Sequence, residues 1–357
     1  MLLPLIGLSN LAFSGDIQHL GADGTRFESP FSVAAVGNLC TGSMFSSDYC
    51  GVSSSILHDI AQSNVRGAIL LGDFIKSPKP KVWAEQLTYL VSILGEKAIL
   101  AVPGSSEYVQ KDLMQFGETF GSQKQEIGIN RYAGWQHLRV KDGGKNWTLL
   151  FLDVFQDKMG TKWKEQQNWL EGVLEGNKDQ IVVFLDQAPK DLSNFSHLGS
   201  QEILDSVYSH TGLSQVRLVV FSGSNTTQAF LPDSNFDALY LGCGGGGAKT
   251  QDLAFESKNG VRIHPLLQAS YISALDNPKI DEKTKSKALR KGDFEGKPAV
   301  LDGKGFPTYG WCELSIDNGL HVSIQHTIDG VTFSKVMALS YTISNGWTFT
   351  SNKAIPE

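Results

Sequence analysis

Several apolar runs in this sequence stop at a residue whose side chain could do chemistry. VAAVGNLC carries Asn38, RGAILLGD ends at Asp73, AVPGSSEY holds Ser105, Ser106 and Glu107, and VVFLDQAP holds Asp186 and Gln187. VVFSGSNTTQ then runs into Ser224 and Thr226. The C-terminal end of a buried strand is where α/β folds commonly set a charged group. The charged candidates here are Asp73, Lys76, Glu107 and Asp186, with His197 further along in SNFSHLG. Carboxylates at such points either exchange protons with a substrate or accept hydrogen bonds from neighbouring loops. For Glu107 and Asp186 the hydrogen-bonding role is expected, and His197 reads as a loop histidine. The turn GCGGGG (242–247) lacks the GxxxxGK[ST] spacing of a phosphate loop and reads as tight backbone packing. Cys243 within it has no histidine nearby in sequence to activate it as a nucleophile.

These residues need strands and helices to hold them. FSVAAVGN, RGAILLGD, KAILAVPG, WTLLFLDV, QIVVFLDQAP, RLVVFSGS and FDALYLGCGGGG read as strands apolar enough to be covered on both faces. Between them, SSSILHDIAQSN, VWAEQLTYLVSILGE and KEQQNWLEGVLEGN place apolar residues at helical spacing. This alternation predicts one α/β layered sandwich. Residues 249–307 are polar, Gly-punctuated and without sustained period, and are expected to be an insertion that carries contacts. After them, YGWCELSIDNGLHVSIQHTIDGVTFSKVMAL reads as antiparallel strands turned at DNG and DG. The expected organisation is an N-terminal targeting or extension segment (1–30), one domain (31–340) and a tail (341–357).

The formal net charge of -6, with signs interspersed, offers no basic stripe for nucleic acid. The densest charge run, at 277–297, is mixed in sign and reads as solvated. No apolar run reaches the ~20 residues of a membrane-spanning helix. MLLPLIGLSNLAFSGD resembles a secretory apolar region but lacks a basic start, so targeting and extension both stay open. Four cysteines without CxxC spacing argue against zinc, and sequons begin at Asn146, Asn194 and Asn225. Together these features point to the secretory pathway, lumenal or extracellular.

The order AVGNLC, LLGDFIKS, AVPGSSEY, LLFLDVF, KEQQNWLEGVL, VVFLDQAP, VVFSGSNTTQ, LYLGCGGGG and TIDGVTFSKV resembles the calcineurin-like metallophosphoesterases, within them the purple acid phosphatases. The resemblance implies a four-layer αββα sandwich with two mixed β-sheets. It also implies a di-metal centre whose bridging hydroxide attacks a phosphoryl group. Such a centre needs hard carboxylates and imidazoles, since hydroxyls do not offset two cations. Of the implied ligand positions, Asp73 keeps the bridging aspartate. The first-strand aspartate becomes Asn38, the tyrosine Lys76, the asparagine and histidine of the GNH block Ser105 and Ser106. The remaining histidines become Gln187, Ser224 and Thr226. Lys76 would stand where a metal was and pair with Asp73.

The resemblance therefore implies a degenerate member: no di-metal centre, no catalytic residues, and vestigial positions at Glu107, Asp186 and His197. The gliding-associated anchor proteins of apicomplexans are similar, with a DQP motif close to DQAP here, although they carry a C-terminal membrane helix and this chain ends SNKAIPE. The expected function is an inactive pseudoenzyme, a structural subunit that meets other protein subunits and reaches membranes only through them. Two other functions stay open. One is a phosphomonoester hydrolase with a reduced iron, zinc or manganese site; the other is a sensor that binds anions through Lys76 and backbone amides.

Overall fold

The computed structural model describes residues 20–21, 23–39, 49–75, 77–108, 113–120, 134–189, 196–211, 215–222, 227–230, 238–246, 309–327 and 333–349. Their strands form two sheets of seven. One runs β1 (Thr25–Glu28), β5 (Gln136–Asp142), β6 (Lys145–Phe151), β7 (Gln180–Leu185), β8 (Val216–Phe221), β10 (Leu239–Cys243) and β9 (Thr227–Phe230). The other runs β14 (Gly346–Phe349), β13 (Phe333–Thr342), β12 (Leu320–Thr327), β11 (Tyr309–Ile316), β2 (Phe31–Val36), β3 (Gly67–Leu71) and β4 (Ala98–Val102). Each sheet is mixed. The runs β2–β3–β4 and β6–β7–β8–β10 are parallel, whereas β5–β6 and β11 to β14 pair antiparallel.

Because side chains alternate along a strand, each run of apolar residues feeds two layers. Phe31, Val33 and Ala35 of β2, Ile69 and Leu71 of β3, and Val182 and Phe184 of β7 enter a layer built from strand residues of both sheets. Their neighbours Ala34, Val36, Ala68, Leu70, Ile181, Val183 and Leu185 turn outward. There they meet the helices α1 (Tyr49–Gln62), α2 (Pro80–Leu94), α5 (Thr161–Leu174) and α6 (Leu198–Thr211). The helices pack in pairs, α1 with α2 and α5 with α6, completing the four-layer αββα sandwich. Continuous apolar strands follow from this arrangement, since both faces of each parallel run are covered.

Shorter helices, α3 (Met114–Phe120) and α4 (Gln156–Met159), and a single 3-10 turn at Ser105–Glu107 complete the described helices. The DNG turn joins β11 to β12, with Asn318 at φ 56° and Gly319 at φ 140°, and Asp142 accepts both of their N–H groups at 2.8 Å. The DG pair at 329–330 lies outside the described residues, though β12 and β13 do pair antiparallel. The strands extend past 31–340 on both sides. β1 pairs with β5, Leu20 is buried in the inter-sheet layer, and β14 pairs with β13. Residues 249–307 lie outside the described residues.

Candidate functional site

The parallel runs of both sheets end at one pole, and there the two sheets are joined by main-chain hydrogen bonds. Gly37 N–H donates to the Cys243 carbonyl at 2.9 Å and Gly246 N–H to Gly37 at 3.1 Å, while within one sheet Asn38 N–H reaches the Gly72 carbonyl at 3.3 Å. Cys243 and Cys312 add a disulfide between β10 and β11, one strand from each sheet, so Cys243 is no nucleophile. The backbone at this pole is unusual. Asn38 and Asp73 hold φ of 54° and 48°, the left-handed region that side chains with a β-carbon rarely occupy. Asparagine and aspartate tolerate it better than most.

Glycine lets the chains approach here. A β-carbon on Gly72 would strike the Asp186 carboxylate, and one on Gly244 would strike the Ser222 carbonyl. The described part of the glycine-rich turn thus packs backbone against backbone, as its sequence suggested.

Asp186, at the end of β7, is wholly buried. Its Oδ1 accepts the Ser222 hydroxyl at 2.7 Å and its Oδ2 accepts the Gln187 amide at 2.7 Å. Ser222 Oγ in turn accepts Asn38 Nδ2 at 3.3 Å, so the chain Asn38, Ser222, Asp186, Gln187 spans both sheets. Burial, with the charge of Asp73 beside it, holds the Asp186 carboxyl well above the usual range. Such a group survives only because its neighbours satisfy it.

Glu107 is likewise buried, at 1% exposure. Its Oε2 accepts the N–H groups of Asp73 at 2.9 Å and Gly104 at 2.7 Å, and its Oε1 those of Phe74 at 3.1 Å and Ile75 at 3.2 Å. One side chain thus satisfies four backbone donors from two strand-end loops. Burial, reinforced by Asp73, pushes this carboxyl up to about 8 against the pull of those donors. Asp73 Oδ1 accepts the Ser105 hydroxyl at 3.1 Å and the Ser106 N–H at 2.8 Å.

Further along the pole, Asp153 lies two residues past the end of β6 and is also buried. It accepts the Tyr108 hydroxyl in a short hydrogen bond and the Phe155 N–H at 3.0 Å. Burial pushes it up to about 7, opposed by the Tyr108 bond. Lys158 lies over the rings of Tyr108 and Phe155 and donates to the Ser105 carbonyl at 3.1 Å. His197 sits at the start of α6, its edge towards Phe155, with Nδ1 accepting the Ser200 N–H at 3.3 Å. Burial lowers its pKa from the ordinary imidazole value.

The pole thus gathers Asn38, Asp73, Ser105, Glu107, Asp186 and Gln187, and His197, just ahead of α6, adjoins it through its N–H to the Ala188 carbonyl at 3.1 Å and its ring against Phe155. Lys76, Ser224 and Thr226 lie outside the described residues. Ser222 and the Tyr108–Asp153 pair were missed in the sequence. Asp153 carries the signal that marked Asp186, an acid at the end of an apolar run, and could have been found by it.

Whether the implied metal pair fits can be judged from the donors. Both oxygens of Asp186 and both of Glu107 are engaged by hydrogen-bond donors, and Asn38 turns its amide nitrogen to Ser222. Among the described residues no group of three His, Cys, Asp or Glu side chains could hold a metal ion. Two divalent cations require several anionic or imidazole donors turned to one point. The residues described here do not fit them.

No family model matches this sequence. No curated protein matches it. Among solved structures, the chain is similar to the PhoD structure, with a TM-score of 0.54 at 10% identity, over 94% of this chain and 74% of that one. It is also similar to a purple acid phosphatase from yellow lupin (Lupinus luteus) seeds, with a TM-score of 0.51 at 11% identity, over 86% of this chain and 53% of that one. These likenesses establish the metallophosphoesterase, calcineurin-like fold.

Proposed function

We propose that this chain is a metallophosphoesterase-like pseudoenzyme that serves as a structural subunit of a protein complex. The observation that carries the proposal is the hydrogen-bonded chain Asn38, Ser222, Asp186, Gln187, where the fold family implies metal ligands. Its groups satisfy one another across the two sheets, and Glu107 spends its oxygens on backbone donors. Polar groups arranged in this way rigidify a fold; they do not present a charged nucleophile to a substrate. A rigid pole of this kind suits a scaffold. The Cys243–Cys312 disulfide supports a lumenal or extracellular setting, where such bonds persist.

Two measurements on the native protein test this. Elemental mass spectrometry should find no near-stoichiometric iron, zinc or manganese, and a generic phosphomonoester should not be hydrolysed with any of them added. Metal together with turnover that Asp73→Ala abolishes would replace this proposal with the phosphatase. Native size analysis should show a stable complex, and a monomer without a co-purifying partner would remove the scaffold role.

A further inference from the structure

We infer that Asn146 carries an N-linked glycan, placed at the pole of the sandwich opposite the candidate site. The inference rests on the secretory setting proposed above. Asn146, Trp147 and Thr148 form a sequon at the start of β6. Asn146 is exposed whereas Trp147 and Thr148 are buried. The strand leaves a turn at Gly143 and Gly144, where an added β-carbon would meet nothing within 4 Å among the described residues. Lys145 beside it is exposed too, so a bulky sugar has room. From Asn146 the chain runs along β6 and on to Asp153, about 23 Å away at ~3.3 Å per residue, so the sugar does not crowd the site.

The burial of Thr148 dictates when the sugar is added. Its Oγ1 donates to Asp179 Oδ2 at 2.8 Å, accepts Asn177 Nδ2 at 3.3 Å, and is sealed from solvent. A transferase that must engage both the asparagine amide and the threonine hydroxyl has no access once β6 lies against β7. Transfer therefore precedes folding of this strand. In it, Asn146 Nδ2 displaces pyrophosphate from C1 of a lipid-pyrophosphate-linked oligosaccharide. A C–N bond forms, the C–O bond to the lipid pyrophosphate breaks, and one amide proton is released. The other sequons, at Asn194 and Asn225, lie outside the described residues.

The test is peptide mapping of the full chain made in a eukaryotic secretory host. Enzymatic deglycosylation in heavy-oxygen water marks every occupied asparagine by its mass. Labelling at Asn146 is expected, and Asn146→Gln should lose one glycan's mass while melting as the parent does. Occupied Asn194 or Asn225 with Asn146 bare would overturn the site while leaving the compartment standing. No label anywhere, with Cys243 and Cys312 as free thiols, would overturn the compartment and the glycan together. No label with the disulfide formed would overturn the glycan alone.

Discussion

Replacing Glu107 by alanine removes the acceptor of four backbone N–H groups at once. Those of Asp73, Phe74, Ile75 and Gly104 all end on its two oxygens. A buried donor left without a partner costs about 1–3 kcal/mol. The losses do not simply add, because water can enter the vacated space, so the low end of the sum, about 4 kcal/mol, is the expected penalty. That is a large share of the ~5–15 kcal/mol that holds a typical domain folded. Unfolding entropy near ~2.1 cal/mol/K per residue converts it, for 357 residues, to a fall in Tm of about 5 °C. Glu107→Gln keeps one acceptor oxygen and should fall between the two proteins. The assay is urea and thermal unfolding followed by tryptophan fluorescence, for which the chain has 7 tryptophans. An alanine variant that melts within about 1 °C of the parent would refute the reasoning that Glu107 is the organiser of these loops.

Other outcomes follow from the same geometry. Ser222→Ala, which takes a donor from buried Asp186 and an acceptor from Asn38, should lower stability by about 2–4 kcal/mol in urea titrations. Burial raises Glu107 to about 8 and Asp153 to about 7, so the folded chain keeps protons that the unfolded chain releases near pH 4. Their stabilising contribution is whole below about pH 4 and is lost as pH rises towards about 7 to 8, at up to ~1.4 kcal/mol per pH unit for each group. Urea midpoints should accordingly fall from about pH 5 to about pH 8, and Asp153→Asn should flatten the lower part of that fall. Breaking the Cys243–Cys312 bridge by a double alanine substitution releases a loop with a sequence separation of 69. Chain entropy puts the cost near ~4 kcal/mol, and an unchanged urea midpoint would count against a native bridge.

The layered architecture was legible in the sequence because its signal is local. Val33 to Val36 and Ile181 to Leu185 are apolar at every position, and a strand buried on both faces needs that; the intervening amphipathic runs became α1, α2 and α5. Asn318 and Gly319 announced their own hairpin, since asparagine and glycine tolerate positive φ. The order of blocks implied which strand ends meet, and Asn38, Asp73, Ser105, Glu107, Asp186 and Gln187 do lie at one pole. Which of them touch was decided only by the tertiary structure. Glu107 reads as an acid beside lost ligands, yet its oxygens serve amides more than thirty residues earlier. Ser222 carries no mark in its own strand; its role comes from Asp186 and Asn38, brought to it from 36 and 184 residues away. Residue type and period set which faces are buried, because each depends on a few neighbouring positions. Hydrogen-bond partners across two sheets depend on how closely the backbones approach, which Gly37, Gly72 and Gly244 permit but which no local stretch of the chain records.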